Sequence, residues 1–348
     1  MQRSTRRARS IIHSSDMRAA TTAEDGAIAM RIGVSGANGF VGRALVQALC
    51  DAGYEVAALV RRHAGDIDAR ATECVIADDN FASVALGQPP LPSCTAFVHL
   101  AARVHMLHDD AADPLSSYRA ANVQGALNAL EAARRAGAAR FVFVSSVKAL
   151  GEHEYGGPLR EDDVPRPADP YGISKYEAEV ALRAACAACG IELTIVRPPL
   201  VYGPGVRANF LGLMRAVARG VPLPLGAAHA RRSMVYIGNL VDALRFLATR
   251  EDATEGVFHV TDGNDQSVSE LVLGIAAALG RPPRLVPVPL VWLRAAGAVT
   301  GRRAVVDRLT SPLRIDGARL RALGWTPPFA VHEGLARTVA DFAKGTGA

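Results

Sequence analysis

A regular pattern of apolar and polar positions begins at residue 31. Arg31–Ser35 is a short β-rich run that ends in a glycine-rich turn. Over residues 40–52 the apolar positions Val41, Ala44, Leu45, Ala48 and Leu49 recur at helical spacing, and Gly53 follows as a stop. Glu55–Val60 reads as a second strand, 74–77 as a third and 96–100 as a fourth. A helix over 115–136 is closed by Gly137, a fifth strand runs over 140–145, a helix over 171–189 stops at Gly190, and a sixth strand follows at Glu192–Arg197. Several of these strands are continuous apolar runs, as strands buried on both faces are. Strands alternating with helices in this way predict an α/β fold, a Rossmann-type doubly wound parallel sheet.

After Pro198-Pro199 the texture changes. Residues 203–234 are rich in Gly, Pro and Arg around one helix at 210–219. Residues 235–248 and 257–260 read again as elements associated with the sheet. Ser267 and Glu270 have capping-box spacing before an apolar helix that Gly280 ends. We therefore expect a dinucleotide-binding domain from 30–202 plus 235–262. A smaller C-terminal substrate-binding lobe is expected from 203–234 plus 263–348, with the substrate in the cleft between them.

Composition narrows the class. The chain has 348 residues, of which 49% are hydrophobic and 21% charged, an ordinary globular balance. No apolar run reaches the roughly 20 residues of a membrane span, so no membrane partner is expected. The most apolar stretch, 285–299, is broken by Pro287, Pro289 and Arg294 and is expected to be a buried helix. The formal net charge of +5 comes almost wholly from scattered arginines, so no nucleic-acid partner is expected; the lysines are Lys148, Lys175 and Lys344. Cys50, Cys74, Cys94, Cys186 and Cys189 form no disulfide framework, which suits a cytoplasmic protein. Cys186 and Cys189 have CxxC spacing, but with no second pair they are expected to be two buried free thiols rather than a zinc site. Residues 1–29 are an Arg-, Ser- and Ala-rich leader without an apolar h-region, expected to be a disordered extension.

The chemistry begins at the first turn. Ser35-Gly36-Ala37-Asn38-Gly39-Phe40-Val41-Gly42 holds G-x-x-G-x-x-G between a strand and a helix. Gly36 suits the tight turn, Gly39 a close approach of backbone to a pyrophosphate, and Gly42 close packing of helix on sheet. Together with Asn38, Phe40 and Val41 they form the expected dinucleotide cradle at a helix N-terminus. The second strand ends Leu59-Val60-Arg61-Arg62, where an NAD enzyme usually carries an acid for the ribose 2′-hydroxyl. Guanidinium in that place suits a 2′-phosphate, so NADP(H) is favoured, with NAD(H) possible. Asp78, after the third strand, is a candidate acceptor for the adenine amine. Further on, Tyr171 and Lys175 stand at i and i+4 on one helical face, so that an ammonium one turn away would favour a phenolate able to move a proton at a substrate oxygen. Ser145-Ser146 end the fifth strand, where ligands bind in open α/β sheets.

These motifs occur in order with His99-Leu100-Ala101-Ala102, Asn122-Val-Gln-Gly, Ser146-Val-Lys-Ala-Leu-Gly151 and Arg197-Pro198-Pro199-x-x-Tyr202-Gly-Pro204-Gly205. As an ordered set over about residues 30–342 they resemble the extended short-chain dehydrogenases, in the NAD-dependent epimerase/dehydratase group. The resemblance implies a cytoplasmic, often homodimeric enzyme acting on a UDP-linked sugar. It implies Ser146, Tyr171 and Lys175 as the catalytic set, with Lys175 also on the nicotinamide ribose and Asn122 supporting the fold near it. Leu100, Ala101, Ala102 and Pro198 would line the cofactor, and Asn209, Arg232 and Arg308 would contact the nucleotide diphosphate.

Two departures shape the expected reaction. Val147-Lys148 follows Ser146 where a 4,6-dehydratase would carry Asp-Glu, and Lys148 is a candidate substrate contact. Residues 99–105 together with Ser-Ser-Val-Lys look most like bacterial 4-keto-sugar reductases of polysaccharide biosynthesis. The first expectation is therefore NADPH-dependent reduction of a UDP-4-keto-6-deoxy-N-acetylhexosamine. The alternatives are a UDP-glucose or UDP-N-acetylglucosamine 4-epimerase and, in another class, a dinucleotide-sensing protein without catalysis. His105 and His108 are read as polar cleft or loop residues, and no metal site is expected.

Overall fold

A computed structural model describes residues 30–63, 65–104, 113–301 and 303–346; the leader 1–29 and His105 and His108 lie outside them. The strands are β1 (Arg31–Ser35), β2 (Glu55–Val60), β3 (Thr72–Val75), β4 (Ala96–His99), β5 (Arg140–Val144), β6 (Glu192–Arg197), β7 (Leu200–Tyr202), β8 (Arg231–Arg232), β9 (Met234–Tyr236), β10 (Gly256–His259) and β11 (Gln266–Ser267). The helices are α1 (Phe40–Asp51), α2 (Ala82–Ala85), α3 (Pro114–Arg119), α4 (Gly125–Arg135), α5 (Pro170–Cys189), α6 (Ala208–Ala218), α7 (Ile237–Thr249), α8 (Val268–Ala278), α9 (Leu290–Val299), α10 (Arg303–Thr310), α11 (Ala318–Ala322) and α12 (Val331–Thr346).

Seven strands form one sheet in the order β10-β6-β5-β4-β1-β2-β3, with every pairing parallel. The strand order reverses between β1 and β4, the switch point where such sheets open a crevice at their carboxyl ends. Apolar runs such as Phe141-Val142-Phe143 make this possible, because alternate side chains enter the cores on opposite faces. On one face α1 and α7 cover Ile32, Val34, Val98 and Val142, and α8 and α12 extend the same apolar core beyond them. On the other α4 and α5 cover Leu59, Phe97, Phe141 and Phe143. Gly33 in mid-strand leaves room for the neighbouring Phe97 ring, which an added Cβ would meet at 2.4 Å.

Residues 235–248 are the end of β9 leading straight into α7, which packs on β4, β5 and α1. Two expectations change in the folded chain. The helix expected over 115–136 is α3 and α4 joined by a π-helical turn, Ala120–Gln124. Cys186 is buried as expected, but Cys189, three residues on around the helix, is exposed.

Buried polar contacts join the C-terminal segments to one another and to α7, where Asn239 donates to the Phe329 carbonyl at 2.9 Å and accepts from the Phe329 amide at 2.9 Å. Asp262, just past β10, accepts hydrogen bonds from Tyr202 Oη at 2.8 Å, Asn239 Nδ2 at 2.7 Å and the Tyr236 amide at 2.8 Å. Arg232 on β8 donates to the Ser311 carbonyl at 2.8 Å, and the Ser233 hydroxyl accepts from the Ile315 amide at 2.9 Å. Among the described residues no helix is long and apolar enough to cross a membrane.

Candidate active site

The glycine turn is built as a cradle. Gly36 has φ +68°, and a Cβ there would lie 2.8 Å from the Ala101 amide nitrogen. A Cβ on Gly42 would lie 2.1 Å from the Gly36 carbonyl oxygen. Side chains are thus excluded where β1, α1 and the end of β4 meet. Gly39 caps α1 without a side-chain hydrogen bond, which leaves the first-turn amides to a phosphate. The edge of the cradle carries a second mark of a ligand: Asp78 Oδ1 is buried with no hydrogen-bond partner, while Oδ2 accepts from the Ser83 amide at 2.9 Å. The residues present therefore fit a dinucleotide, its diphosphate on Gly36–Gly42 and its adenine beside Asp78.

Arg61 is not idle in this frame. Its Nη1 donates to Asp79 Oδ1 at 2.7 Å. The acid missing from the end of β2 is supplied from the loop after β3, and it lies against the guanidinium that the sequence reading reserved for a 2′-phosphate. Arg62 is exposed beside it.

The candidate catalytic residues come together at the end of β5 and the start of α5. Pro170 opens α5, and the Asp169 side chain caps it by accepting from the Gly172 amide at 2.7 Å. Gly172 is needed because a Cβ would lie 2.5 Å from the Lys148 carbonyl oxygen. That close approach presses the first turn of α5 onto the short turn 147–149 and sets the Tyr171 phenol beside the Ser146 hydroxyl, which accepts from the Lys148 amide at 3.2 Å. The neighbouring Ser145 takes a different role. Its hydroxyl donates to the buried Glu179 at 2.6 Å, and Glu179 also receives Arg197 Nη2 at 2.6 Å and Nε at 2.9 Å. Glu179 on α5 thus clamps the ends of β5 and β6, and the Val147 amide donates to the Pro198 carbonyl at 3.0 Å.

Lys175 is buried, with Nζ donating to the Val144 carbonyl at 2.9 Å and lying 4.6 Å from the centre of the Phe143 ring. Burial pushes its ammonium down to about 7, with Glu179 opposing. Burial also pushes the Tyr171 phenol up to about 12; the Ser146 hydrogen bond opposes this, and the carboxylate of Asp169 and the phenol of Tyr118 add to it. The Lys175 ammonium, one turn along α5 from Tyr171, is turned to the Val144 carbonyl and the Phe143 ring.

Asn122 sits on the π-helical turn, accepts from the Arg103 amide at 2.8 Å and donates to the Arg103 carbonyl at 3.1 Å and to Ser174 Oγ at 2.9 Å. It fastens the chain leaving β4 to the helix turn that carries Lys175. Leu100, Ala101 and Ala102 line that exit, and the Ala101 amide donates to Ser35 Oγ at 3.4 Å. Lys148, expected at the substrate, is ion-paired with Asp169 and, at 2.9 Å, with Glu152. Asn209 is exposed in the first turn of α6, next to Ala208, whose φ of +54° is unusual for a residue with a side chain. Arg308 lies in α10.

Sequence reasoning missed Asp79, Asp169, Glu179 and the Ser35–His99 pair, in which Ser35 Oγ and His99 Nδ1 lie 2.7 Å apart beneath the cradle. Only Asp169 had a legible signal, an Asp-Pro dipeptide at a helix start.

A glycine cradle at the switch point of a parallel sheet, with a Ser–Tyr pair and a buried lysine at its carboxyl edge, defines a dinucleotide-dependent oxidoreductase. The NAD dependent epimerase/dehydratase family model matches residues 32–260, and the chain belongs to that family. It is similar to a UDP-glucose 4-epimerase of Vibrio cholerae, 40% identical over 89% of this chain and 95% of the relative. It is also similar to the N-acetyl-alpha-D-glucosaminyl-diphospho-ditrans,octacis-undecaprenol 4-epimerase of Escherichia coli O157:H7, 29% identical over 67% of this chain and 74% of the relative. Among solved structures, the UDP-glucose 4-epimerase of Thermus thermophilus in complex with NAD superposes with a TM-score of 0.72 at 26% identity, over 90% of this chain and 99% of that one. The protein is accordingly an NAD(P)-dependent enzyme of nucleotide-sugar metabolism.

Proposed function

We propose that the enzyme is a 4-epimerase of UDP-linked hexoses or N-acetylhexosamines, working with NAD. The observation that carries this reading is the Ser146–Tyr171 hydroxyl pair at the carboxyl edge of the cradle, in a chain 40% identical to a UDP-glucose 4-epimerase. The two relatives differ in what carries the sugar and are both 4-epimerases, which supports epimerisation at C4 over the reduction first expected.

In this mechanism the C4 hydroxyl hydrogen-bonds Ser146 and Tyr171, and Tyr171 takes its proton. A nicotinamide dinucleotide held on Gly36–Gly42 would supply reversible hydride transfer at C4. Tyr171 then gives the proton back. Ser146 holds the oxygen on both passes, and Lys175 and Asn122 keep this end of α5 against β5. Asn209, Arg232 and Arg308 are the proposed contacts of the nucleotide diphosphate.

NAD is favoured over NADP by Asp79. Its carboxylate engages Arg61, would repel a 2′-phosphate and can accept a hydrogen bond from a 2′-hydroxyl. The domain division expected from the sequence is retained in the proposal, with the cleft between the lobes as the sugar site.

The test is turnover of UDP-glucose, UDP-galactose and their N-acetyl counterparts by the purified enzyme, followed by chromatography and absorbance at the nicotinamide band. The proposal expects 4-epimers to interconvert with no net change in cofactor. Stoichiometric oxidation of NADPH by a UDP-4-keto sugar, without epimer exchange, would establish the reductase instead.

A further inference from the structure

Helix α9 is apolar at almost every position and was expected to be buried, yet the fold buries only Gly297 of it. Leu290 and Leu293 are half-buried, and α9 packs chiefly on α10. Val291 is 75%, Trp292 69% and Val299 89% exposed, and Ala295 and Ala298 are exposed with them. Positions 291, 295, 298 and 299 follow each other at helical spacing, so they form one apolar stripe with Trp292 at its side. A contiguous stripe of this kind marks an interaction surface rather than scattered surface residues.

The charge around the stripe says what it meets. Between Glu270 and Asp307 the sequence has no acidic residue, and it carries Arg281, Arg284, Arg294, Arg302 and Arg303. Arg281, Arg284 and Arg294 are exposed and have no acidic partner among the described residues. Many other surface arginines are matched, as in Arg119–Glu177, Arg134–Glu131 and Arg231–Glu270, and within the cluster Arg303 reaches Asp307 at 3.8 Å. A second copy presenting the same face would set arginine against arginine. An anionic bilayer suits both features: apolar side chains and Trp enter the boundary of headgroups and acyl chains, and guanidinium groups meet the phosphates.

We propose that α9 and its flanking arginines dock the protein peripherally on an anionic membrane surface. The helix has 10 residues, far fewer than a span requires, so it lies on the bilayer rather than crossing it. The sequence expectation of no membrane partner rested on the lack of a spanning run, and surface docking needs none. The hairpin leaves the substrate lobe at Leu285, bridged to Leu223, and returns at Leu313, bridged to Arg232. Docking would therefore hold the substrate lobe at the membrane, whichever sugar the enzyme turns over.

The test uses the full chain with vesicles of phosphatidylcholine alone or mixed with phosphatidylglycerol. Trp292 and Trp325 are the tryptophans of the chain, and Trp325 is only 5% exposed, so a blue shift of emission reports Trp292. We expect co-sedimentation and a blue shift with the anionic vesicles, little with the neutral ones, and weakening as salt is raised. Replacing both Trp292→Glu and Val299→Glu should lower binding by about tenfold or more while turnover of a water-soluble substrate is unchanged. Absence of binding to anionic vesicles at low salt would overturn the proposal. So would light scattering showing that the double variant dissociates a dimer, because a second copy would then be the occupant.

Discussion

Arg61 and Asp79 meet at 2.7 Å across the edge of the sheet, although 18 residues separate them and neither neighbours the other's strand end in sequence. The pair is exposed, 71% and 80% by side chain, so its own contribution to stability is small. Its consequence is for cofactor choice. Asp79→Ala should leave folding unchanged and free Arg61 for a 2′-phosphate, shifting the ratio of NADPH to NADH affinity upward by roughly tenfold, the worth of one charge-assisted hydrogen bond. Titration of both dinucleotides by fluorescence measures this, and an unchanged ratio would remove Asp79 from cofactor selection. Arg61→Ala in the same assay should act in the opposite direction.

Tyr171→Phe keeps the ring and removes the transferable proton. Turnover should fall by about 100- to 10,000-fold, with melting temperature and dinucleotide binding retained. Ser146→Ala should lower turnover in the same way. Ser145→Ala should mainly lower stability, because its hydroxyl serves Glu179 and not the substrate. Steady-state kinetics beside thermal melts separate the two serines; equal effects on turnover would show that the hydrogen-bond assignment is wrong.

Lys148 and Asp169 make a prediction about pH. The Asp169 carboxylate adds to the upward shift of the Tyr171 phenol, and the Lys148 ammonium is paired with that carboxylate. Lys148→Met would leave the negative charge less compensated and hold the phenol higher still. The rise of turnover with pH that reports loss of the Tyr171 proton should then move to higher pH. A profile that stays in place while KM rises would instead return Lys148 to the substrate.

The buried pair of Arg197 and Glu179, with side chains 2% and 0% exposed, should be costly to break from one side. Glu179→Gln leaves a guanidinium without its charge partner, at a cost of about 3–5 kcal/mol. Chemical denaturation measures the loss, and a variant within about 1 kcal/mol of the parent would contradict the clamp.

His259 sets an acid limit on stability. Burial pushes its imidazole down to about 4 from the ordinary 6.5. Between those values the unfolded chain holds the proton and the folded chain does not, so stability falls as pH drops from about 6.5 and the loss is complete near 4. The contribution is on the order of 3 kcal/mol. His259→Asn should flatten the dependence of melting temperature on pH in that window, even if the plateau is lower. An unchanged acid limb would assign it to other groups.

The order of strands and helices, the glycine turn and the Tyr171–Lys175 spacing were legible in the sequence because each depends on neighbours within a few residues: periodicity, caps and turn conformation. The family followed from the same local motifs taken in order. Contacts between distant segments were not legible. The resemblance singled out Ser146, but the reason Ser145 turns away is Glu179 on α5, and the space for the first turn of α5 is what Gly172 leaves beside the Lys148 carbonyl. Whether an acid stands by Arg61 depends on how β3 aligns with β2, and where the Lys175 ammonium points depends on the Val144 carbonyl and the Phe143 ring. Helix α9 shows the limit most plainly. Its residues specify an apolar helix, but burial is a property of what packs against it, and only the folded chain decides that its stripe faces outward.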